Sequence, residues 1–312
     1  MGDGFQVARL IPVSGISSNA EAETRATSAL LAVLTAVRAF SAPILVPLGA
    51  SAARKAKVEA FIETKFKMGD GTQVRPDGLI QVTYGGKEWR ALIEVKTGDG
   101  KLEAEQINNY LTVAREQGID GVITISNAIA MSGEVHPCDG VKVRANSRVR
   151  LAHYSWSEVL AAAVRAKVHD GIPDPAHDWI LGELIRYLEH PASGVAGLDD
   201  MGPSWTAGRD AARSGTLHKG SDEARSIAEH WEQILRLAAI RLGARTGVDV
   251  TVVAPKAQTD LKARITALTE ALAEAGVLDG TVRVPGAAGN LVINADLRAR
   301  QLTIAIEVAA PS

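Results

Sequence analysis

A strand-like stretch at residues 89–97 carries two charged side chains among apolar ones, and it restricts the possible folds more than any other feature. Ile93 and Val95 indicate a buried strand, yet Glu94 and Lys96 lie within it. Because alternate residues of a strand point to the same face, Glu94 and Lys96 share one face. Burying a charge costs several kcal/mol unless a partner offsets that cost. The stretch therefore predicts either a bound cation or a structural ion pair.

A second acidic residue lies on the strand that the sequence predicts at residues 74–83. Asp77 follows Pro76 there, and two glycines then predict a hairpin turn into the next strand. Pairing of the two strands would bring Asp77, Glu94 and Lys96 to one edge of a sheet. Two carboxylates suit a divalent cation, and a lysine beside them suits the positioning of a water molecule. The set therefore fits metal-assisted attack on a phosphodiester.

The acidic-X-Lys pattern is not specific by itself. The chain repeats it at Glu63–Lys65, Asp99–Lys101 and Asp260–Lys262. With 22% charged residues, an isolated match is most simply a solvated charge pair. Only Glu94–Lys96 lies within an apolar strand that follows an Asp-bearing strand. Glu63 is an alternative acidic ligand, although its alternation with Ile62 favours a solvated position.

Length and composition favour a globular protein of two domains. The 312 residues include 46% hydrophobic ones, and the mean hydropathy is +0.04. No apolar run approaches the roughly 20 residues of a membrane span, and the N-terminus lacks the features of a signal peptide. Cys138 is the single cysteine, which excludes an internal disulfide and a multi-cysteine zinc site and favours the cytosol. With a net charge of −2, any nucleic-acid surface must be a local patch.

The order of the predicted elements favours an α/β fold. The first six elements are a helix at 21–40, strands at 57–66, 74–83 and 89–97, a helix at 102–117 and a strand at 122–125. A helical crossover favours parallel pairing of the last strand, so we expect a mixed sheet flanked by helices. On the first helix, Glu23 falls at the centre of the apolar stripe and Glu21 falls nearly opposite. The alternative for Glu23 is a boundary position in the first turn, which the helix dipole favours.

The rest of the chain predicts a second, smaller α+β unit. A further strand and two helices extend to residue 190, and a long, partly irregular connection follows at 191–221. Two helices and four strands complete the chain. We therefore assign a first domain to 1–175, a helix and irregular linker to 176–220, and an accessory domain to 221–312. The chain ends soon after its last predicted strand, as a piece of a longer protein would.

The first six elements resemble the PD-(D/E)XK nuclease superfamily, whose members share the restriction-endonuclease-like fold. The resemblance extends over about residues 20–155, and the tail is similar to that of bacterial stress-response-type proteins with such a nuclease domain. It depends on polar residues at matching places on the first helix, the second and third strands and the following helix: Glu23, Asp77, Glu94, Lys96 and Gln106.

The resemblance implies a phosphodiesterase with Mg²⁺ or Mn²⁺ as cofactor. Asp77, Glu94 and the carbonyl of Val95 would hold the cation, and Glu23 would reach it directly or through water. Lys96 would orient the attacking water and stabilise charge on the phosphate. Gln106 would position Lys96 or a phosphate.

We therefore predict a metal-dependent nuclease that acts on DNA in the cytoplasm, with a homodimer as an open alternative to a monomer. A second hypothesis is a catalytically idle nuclease-like module that binds nucleic acid or a protein partner in stress response or defence. A third is a nuclease that is inhibited until the C-terminal unit senses a signal.

Other candidate sites have simpler explanations. His136 and Cys138 are most simply loop residues, since no second cysteine or spaced histidine pair supports a zinc site. Basic clusters at 54–57, 65–67 and 142–150 suit phosphate contacts but are also ordinary on a solvated surface.

Overall fold

The chain folds into two compact units in a computed structural model that describes residues 8–16, 18–132, 135–144, 146–195, 201–306 and 308. The first unit comprises Met1–Ala128 and His136–Ala196, and the second comprises Ile129–Val135 and Gly197–Ser312. The residues that the sequence assigned to a linker, 176–220, are divided between these two units.

The first unit contains a five-stranded mixed sheet with the order β1-β4-β5-β6-β7. Strands β1, β4 and β5 are antiparallel, whereas β5, β6 and β7 are parallel, which confirms the predicted crossover. A separate two-residue ladder joins β2 to β3. The strands are β1 Lys57–Ile62, β2 Phe66–Lys67, β3 Gln73–Val74, β4 Gly78–Tyr84, β5 Lys87–Val95, β6 Gly121–Ser126 and β7 Arg150–Ser155.

The hairpin between β4 and β5 forms where the sequence predicts it. Tyr84 pairs with Lys87, and the two residues between them, Gly85 and Gly86, have φ values of 58° and 75°. Two consecutive positive φ values are typical of a type I′ turn, which matches the twist of the paired strands and favours glycine. This turn fixes the register in which Gly78 faces Ile93, and so aligns the ends of β4 and β5.

Helices cover both faces of this sheet. One face packs against α1, α4 and α5 in a core that includes Leu30, Ile93 and Trp156, and the other packs against α3 through Ile107 and Leu111. The helix predicted at 21–40 ends at Ala36, and a second helix begins at Arg38 after a bend of 104°. The helices are α1 Asn19–Ala36, α2 Arg38–Leu45, α3 Ala104–Glu116, α4 Trp156–Val164 and α5 Pro175–Leu188.

The second unit has a four-stranded antiparallel sheet with the order β11-β10-β9-β8. Helices α7 and α8 pack on it through a core that contains Trp231, Leu235, Leu268, Leu272 and Leu278. The stretch at 191–221, predicted to be partly irregular, contains the helix α6, which the sequence did not predict. The elements are α6 Trp205–Ser214, α7 Asp222–Thr246, β8 Thr251–Val252, α8 Leu261–Ala275, β9 Val277–Arg283, β10 Leu291–Asp296 and β11 Gln301–Ile306.

These elements confirm the α/β class, with a mixed sheet flanked by helices and a separate antiparallel sheet. Within the described residues, no single helix has the length and apolarity needed to cross a membrane. Helices α1 and α2 pass that test only when they are taken together across their bend.

Candidate active site

Asp77 and Glu94 lie beside each other where β4 begins and β5 ends. Asp77 directly precedes β4, and its Oδ2 accepts a hydrogen bond of 2.8 Å from the backbone N–H of Val95. The N–H and C=O of one residue point to the same side of a strand, so the Val95 carbonyl faces the same edge as Asp77. Gly78 allows α1 to pack closely on the start of β4, because an added Cβ would lie 2.5 Å from a methyl group of Leu31.

Glu94 is fully buried between the central strands and α3. Its Oε2 accepts a hydrogen bond of 2.9 Å from the hydroxyl of Tyr110, whereas its Oε1 lies 2.7 Å from Nζ of Lys96. That contact is an ion pair with poor hydrogen-bond angles, so the charge of Lys96 compensates Oε1 without a well-aligned hydrogen bond. Burial, followed by the charge of Asp77, raises the pKa of Glu94 to about 7, although Lys96 and Tyr110 oppose the rise.

Lys96 connects the two glutamates of the site. Its Nζ donates to Oε1 of Glu23 at 3.0 Å and also lies next to Glu94. Burial by itself would lower the pKa of Lys96, but the pairing with Glu94 and then Glu23 outweighs burial and raises it above the usual value. The lysine therefore carries a positive charge throughout the physiological pH range. Its backbone carbonyl accepts a hydrogen bond of 2.9 Å from the indole N–H of Trp156, which fixes the end of β5.

Glu23 reaches the site from α1, as the helical phase predicts. Its side chain is 21% exposed and contacts Lys96, whereas Glu21 is exposed on the other side of the helix. Gly100 lies close by, because an added Cβ would be 3.4 Å from both Oε2 of Glu23 and the side chain of Lys96. The loop after β5 therefore packs directly over this ion pair.

Gln106 lies in the site, but its contact differs from the expected one. Its side-chain amide donates to the hydroxyl of Tyr110 at 2.8 Å, whereas we expected it to position Lys96 or a phosphate. Tyr110 in turn donates to Glu94, so Gln106 acts on Glu94 through Tyr110. The sequence analysis missed this role because Tyr110 fits the apolar face of α3. The spacing of four residues between Gln106 and Tyr110 on one helix was the available signal.

Three backbone groups hold the loop that follows Lys96. The N–H of Gly98 donates to the carbonyl of Gly194 at 2.7 Å. Nδ2 of Asn127 donates to the carbonyl of Gly98 at 3.1 Å and to the carbonyl of Gly194 at 2.9 Å. Gly194 has a φ of 72°, and an added Cβ would lie 3.1 Å from the side chain of Thr97. Asn127 thus clamps the loop to the segment that leads out of the first unit, and the sequence analysis did not identify it.

A row of polar side chains continues from Glu94 across the sheet. Glu94 on β5 faces Thr124 on β6, which faces His153 on β7. Nε2 of His153 lies 2.9 Å from the Ala128 carbonyl, so this nitrogen carries the hydrogen and Nδ1 accepts from Thr124 at 3.0 Å. Thr124 then accepts from Nε2 of His136 at 2.8 Å.

His136 is uncharged in this network. Its Nδ1 accepts from the backbone N–H of Cys138 at 3.1 Å, which leaves the hydrogen on Nε2. Burial, followed by the electrostatic effect of the neighbouring His153, lowers the pKa of His136 to about 4. His136, which the sequence predicted to be a loop residue, thus holds its loop through its contacts with Thr124 and Cys138.

The residues present fit a divalent cation in part. The described residues contain no group of three or more His, Cys, Asp or Glu side chains placed to hold a metal ion. Asp77 and Glu94 nevertheless form a pair of neighbouring carboxylates, and the buried Oε1 of Glu94 contacts Lys96 without a well-aligned hydrogen bond. With the Val95 carbonyl, these are oxygen ligands of the kind that Mg²⁺ prefers, and Mg²⁺ usually retains several waters. Glu23 is bound to Lys96 and would reach a cation through water.

Glu63 does not belong to this cluster. It has a positive φ of 54° at the end of β1, is exposed, and lies 3.8 Å from Arg75. The predicted solvated position is therefore correct. The basic clusters at 54–57 and 65–67 place their lysines and arginine on the surface, where they remain able to contact phosphates.

No family model matches the chain, and no curated protein or solved structure is significantly similar to it.

Proposed function

We propose that the first unit is a metal-dependent nuclease of the PD-(D/E)XK type. One observation carries this proposal. Four side chains from three elements converge where β4 begins and β5 ends: Asp77, Glu94, Lys96 and Glu23. The order of a helix, three antiparallel strands, a helix and a parallel strand also supports it.

Each side chain has a role that follows from its contacts. Asp77 and Glu94 would hold a divalent cation, which would supply Lewis-acid activation of a water and of the scissile phosphate. Lys96 remains protonated and would stabilise the negative charge that develops on the phosphate. Glu23 accepts a hydrogen bond from Lys96 and so orients its ammonium group.

Tyr110 and Gln106 would act as positioning residues. Tyr110 fixes one oxygen of Glu94, and Gln106 fixes the hydroxyl of Tyr110. The other oxygen of Glu94 is then directed toward Lys96 and away from α3. A carboxylate held in this way binds a cation with little reorganisation, because its orientation is set before the ligand arrives.

We propose DNA as the substrate, since the exposed basic clusters on the first unit provide local positive charge in a chain of net charge −2. A cytoplasmic location and a role in bacterial stress response or defence are parts of the same proposal. They follow from the single cysteine and from the similarity of the tail to stress-response-type proteins.

The alternative function is a catalytically idle module that binds nucleic acid or a protein partner. One observation favours it. Lys96 pairs with both glutamates, and no three acidic side chains among the described residues are placed to hold a metal ion, which suits a structural ion cluster. Burying an ion pair seldom stabilises a fold more than apolar residues do, so a structural role alone explains this cluster poorly.

The test is cleavage of plasmid and short duplex DNA by the full chain with Mg²⁺ or Mn²⁺. We expect Asp77→Asn and Lys96→Ala to abolish cleavage. Lys262→Ala is the matched control, because Lys262 is an exposed lysine of the same acidic-X-Lys pattern in the second unit. Cleavage that survives both site substitutions rejects the proposed site. Absence of cleavage together with absence of divalent-ion binding by calorimetry supports the idle module.

A further inference from the structure

The outer strand of the second unit has an apolar stripe that its own helices do not cover. Burial decreases across the sheet, from strand to strand, on the face that carries α7 and α8. Leu278 on β9 is fully buried, its neighbour Ala295 on β10 is partly buried, and the next residue along, Leu302 on β11, is 62% exposed. Ile304 and Ile306 on β11 are 62% and 51% exposed.

The open edge of β11 lacks the features that usually prevent strand pairing. Strand β11 pairs with β10 on one side, and no described strand pairs with its other side. Its six residues include no charge and no proline. Natural edge strands are normally protected by charged side chains, proline or shortness.

Two other sheet edges of this chain show such protection. Strand β1 carries Lys57 and Glu59, which form an ion pair on its surface. Strand β8 is only two residues long and is followed by Pro255. Strand β11 therefore differs from both of these edges in the same molecule, and its composition suits pairing with another strand.

We propose that β11 pairs antiparallel with β11 of a second copy of this chain, forming a two-fold symmetric dimer through the second unit. Partners in an antiparallel pair point to the same face, so a two-fold axis at Ile304 places Ile304 opposite itself and Leu302 opposite Ile306. Every apolar side chain of the stripe then meets an apolar one. On the other face, Thr303 meets Ala305.

Charge favours a second copy in this antiparallel arrangement. The paired segments carry no charge, so no like charges are opposed within them. Arg298 and Arg300 precede β11, and the two-fold axis places them at opposite ends of the paired strands, away from their copies. A parallel arrangement would bring the same arginines together. This dimer is independent of the nuclease proposal, because it concerns only the second unit.

The first test is the mass of the full chain in solution, measured by light scattering and analytical ultracentrifugation across the micromolar range. We expect a dimer for the native chain and a monomer for Ile304→Lys. The matched control is Val168→Lys in the first unit, where the side chain is 65% exposed, and it should remain dimeric. A monomeric native chain overturns the proposal, and so does a dimer that persists in Ile304→Lys.

The second test determines the register by disulfide formation, in chains that also carry Cys138→Ser so that no other cysteine is present. We expect Ile304→Cys chains to cross-link with themselves under mild oxidation, because facing residues of paired strands have the required Cα separation. Leu302→Cys chains should cross-link with Ile306→Cys chains but not with themselves. Absence of the Ile304→Cys cross-link overturns this register, and this result decides the question if Ile304→Lys proves to be unfolded by circular dichroism.

Discussion

The hydroxyl of Tyr110 donates a hydrogen bond of 2.9 Å to Oε2 of Glu94, and this contact joins α3 to the central strand β5. Burial, followed by the negative charge of Glu94, raises the pKa of Tyr110, so the hydroxyl keeps its hydrogen and acts as a donor. The bond fixes one oxygen of a buried carboxylate whose other oxygen lies beside Lys96. The orientation of Glu94 therefore depends on a tyrosine that belongs to an apolar helix face.

Tyr110→Phe should weaken the binding of divalent ions. The substitution removes a hydrogen bond to a charged group, which is worth about 1.5–3 kcal/mol, while it preserves the ring that packs in the core. We therefore expect a loss of affinity for Mn²⁺ of about tenfold or more, measured by isothermal titration calorimetry. Tyr154→Phe is the control, since Tyr154 is a partly buried tyrosine that donates to the Ile44 carbonyl on the other face of the sheet. Equal affinities for the two variants would contradict the role of Tyr110.

Glu94→Gln should stabilise the metal-free chain at high pH. The pKa of Glu94 is raised from 4.5 to about 7 in the folded state, so folding favours the protonated form. The stability from this group is fully present below pH 4.5 and is lost as pH rises through 7. The loss reaches about 3 kcal/mol, because each pKa unit corresponds to about 1.4 kcal/mol.

Urea denaturation in the presence of EDTA measures this effect. The free energy of unfolding of Glu94→Gln should exceed that of the native chain at pH 8, and the two should converge at pH 4.5. Glu59→Gln is the control, because Glu59 lies on the surface strand β1 in an exposed ion pair. If the native chain is as stable as Glu94→Gln at pH 8, burial does not disfavour the ionised form of Glu94.

Asn127→Ala should loosen the loop that follows Lys96. Asn127 donates to the carbonyls of Gly98 and Gly194, and two such bonds contribute roughly 1–3 kcal/mol in total. The amide of Gly98, which donates to Gly194, should therefore exchange with solvent roughly ten- to hundredfold faster, because local opening becomes easier.

Hydrogen exchange followed by mass spectrometry or NMR checks this prediction. Asn108→Ala is a matched control, since Asn108 also makes two side-chain bonds to the backbone, with Gly140 and Lys142. Exchange at Gly98 that is the same in both variants would mean that the bond between Gly98 and Gly194 holds the loop without Asn127.

Arg264→Ala should strongly destabilise the second unit. The guanidinium of Arg264 is 5% exposed and contacts Glu232 at 2.7 Å and Asp279 at 3.1 Å. Its removal leaves Glu232 buried without a partner, which costs about 3–5 kcal/mol. The free energy of unfolding of the double variant Arg264→Leu, Glu232→Leu should exceed that of Arg264→Ala. Urea denaturation measures both, and a double variant less stable than Arg264→Ala would show that the pair itself holds the unit together.

Local pattern was sufficient to predict most helices and strands of the first unit. The glycines at 85 and 86 predicted the turn that aligns β4 with β5, because consecutive positive φ values favour glycine. The crossover through α3 predicted the parallel pairing of β6 with β5. The helical phase of α1 predicted that Glu23 points toward the sheet and Glu21 away from it. Each of these predictions depends on a period or a turn that neighbouring residues determine.

The sequence missed contacts that join residues distant in the chain. Asn127 and Gly194 are 67 positions apart, and nothing in the local sequence of either residue indicates the other. The helix α6 was missed because its surroundings are rich in glycine and serine, whereas its packing against α7 and α8 stabilises it. The exposure of β11 also depends on where α7 and α8 lie on the sheet.

The sequence alone determined that Glu94 would lie within an apolar strand, because strand alternation is local. It also brought Asp77 close to the adjacent strand, although Asp77, predicted within that strand, directly precedes β4. Only the tertiary structure decided which partners meet these carboxylates. Tyr110 contacts Glu94 because α3 packs on the face of the sheet to which Glu94 points. Lys96 contacts Glu94 because the two residues lie two positions apart at the end of β5. Since burial and neighbouring charge set the pKa of Glu94, the chemistry of the site depends on packing that the pattern does not contain.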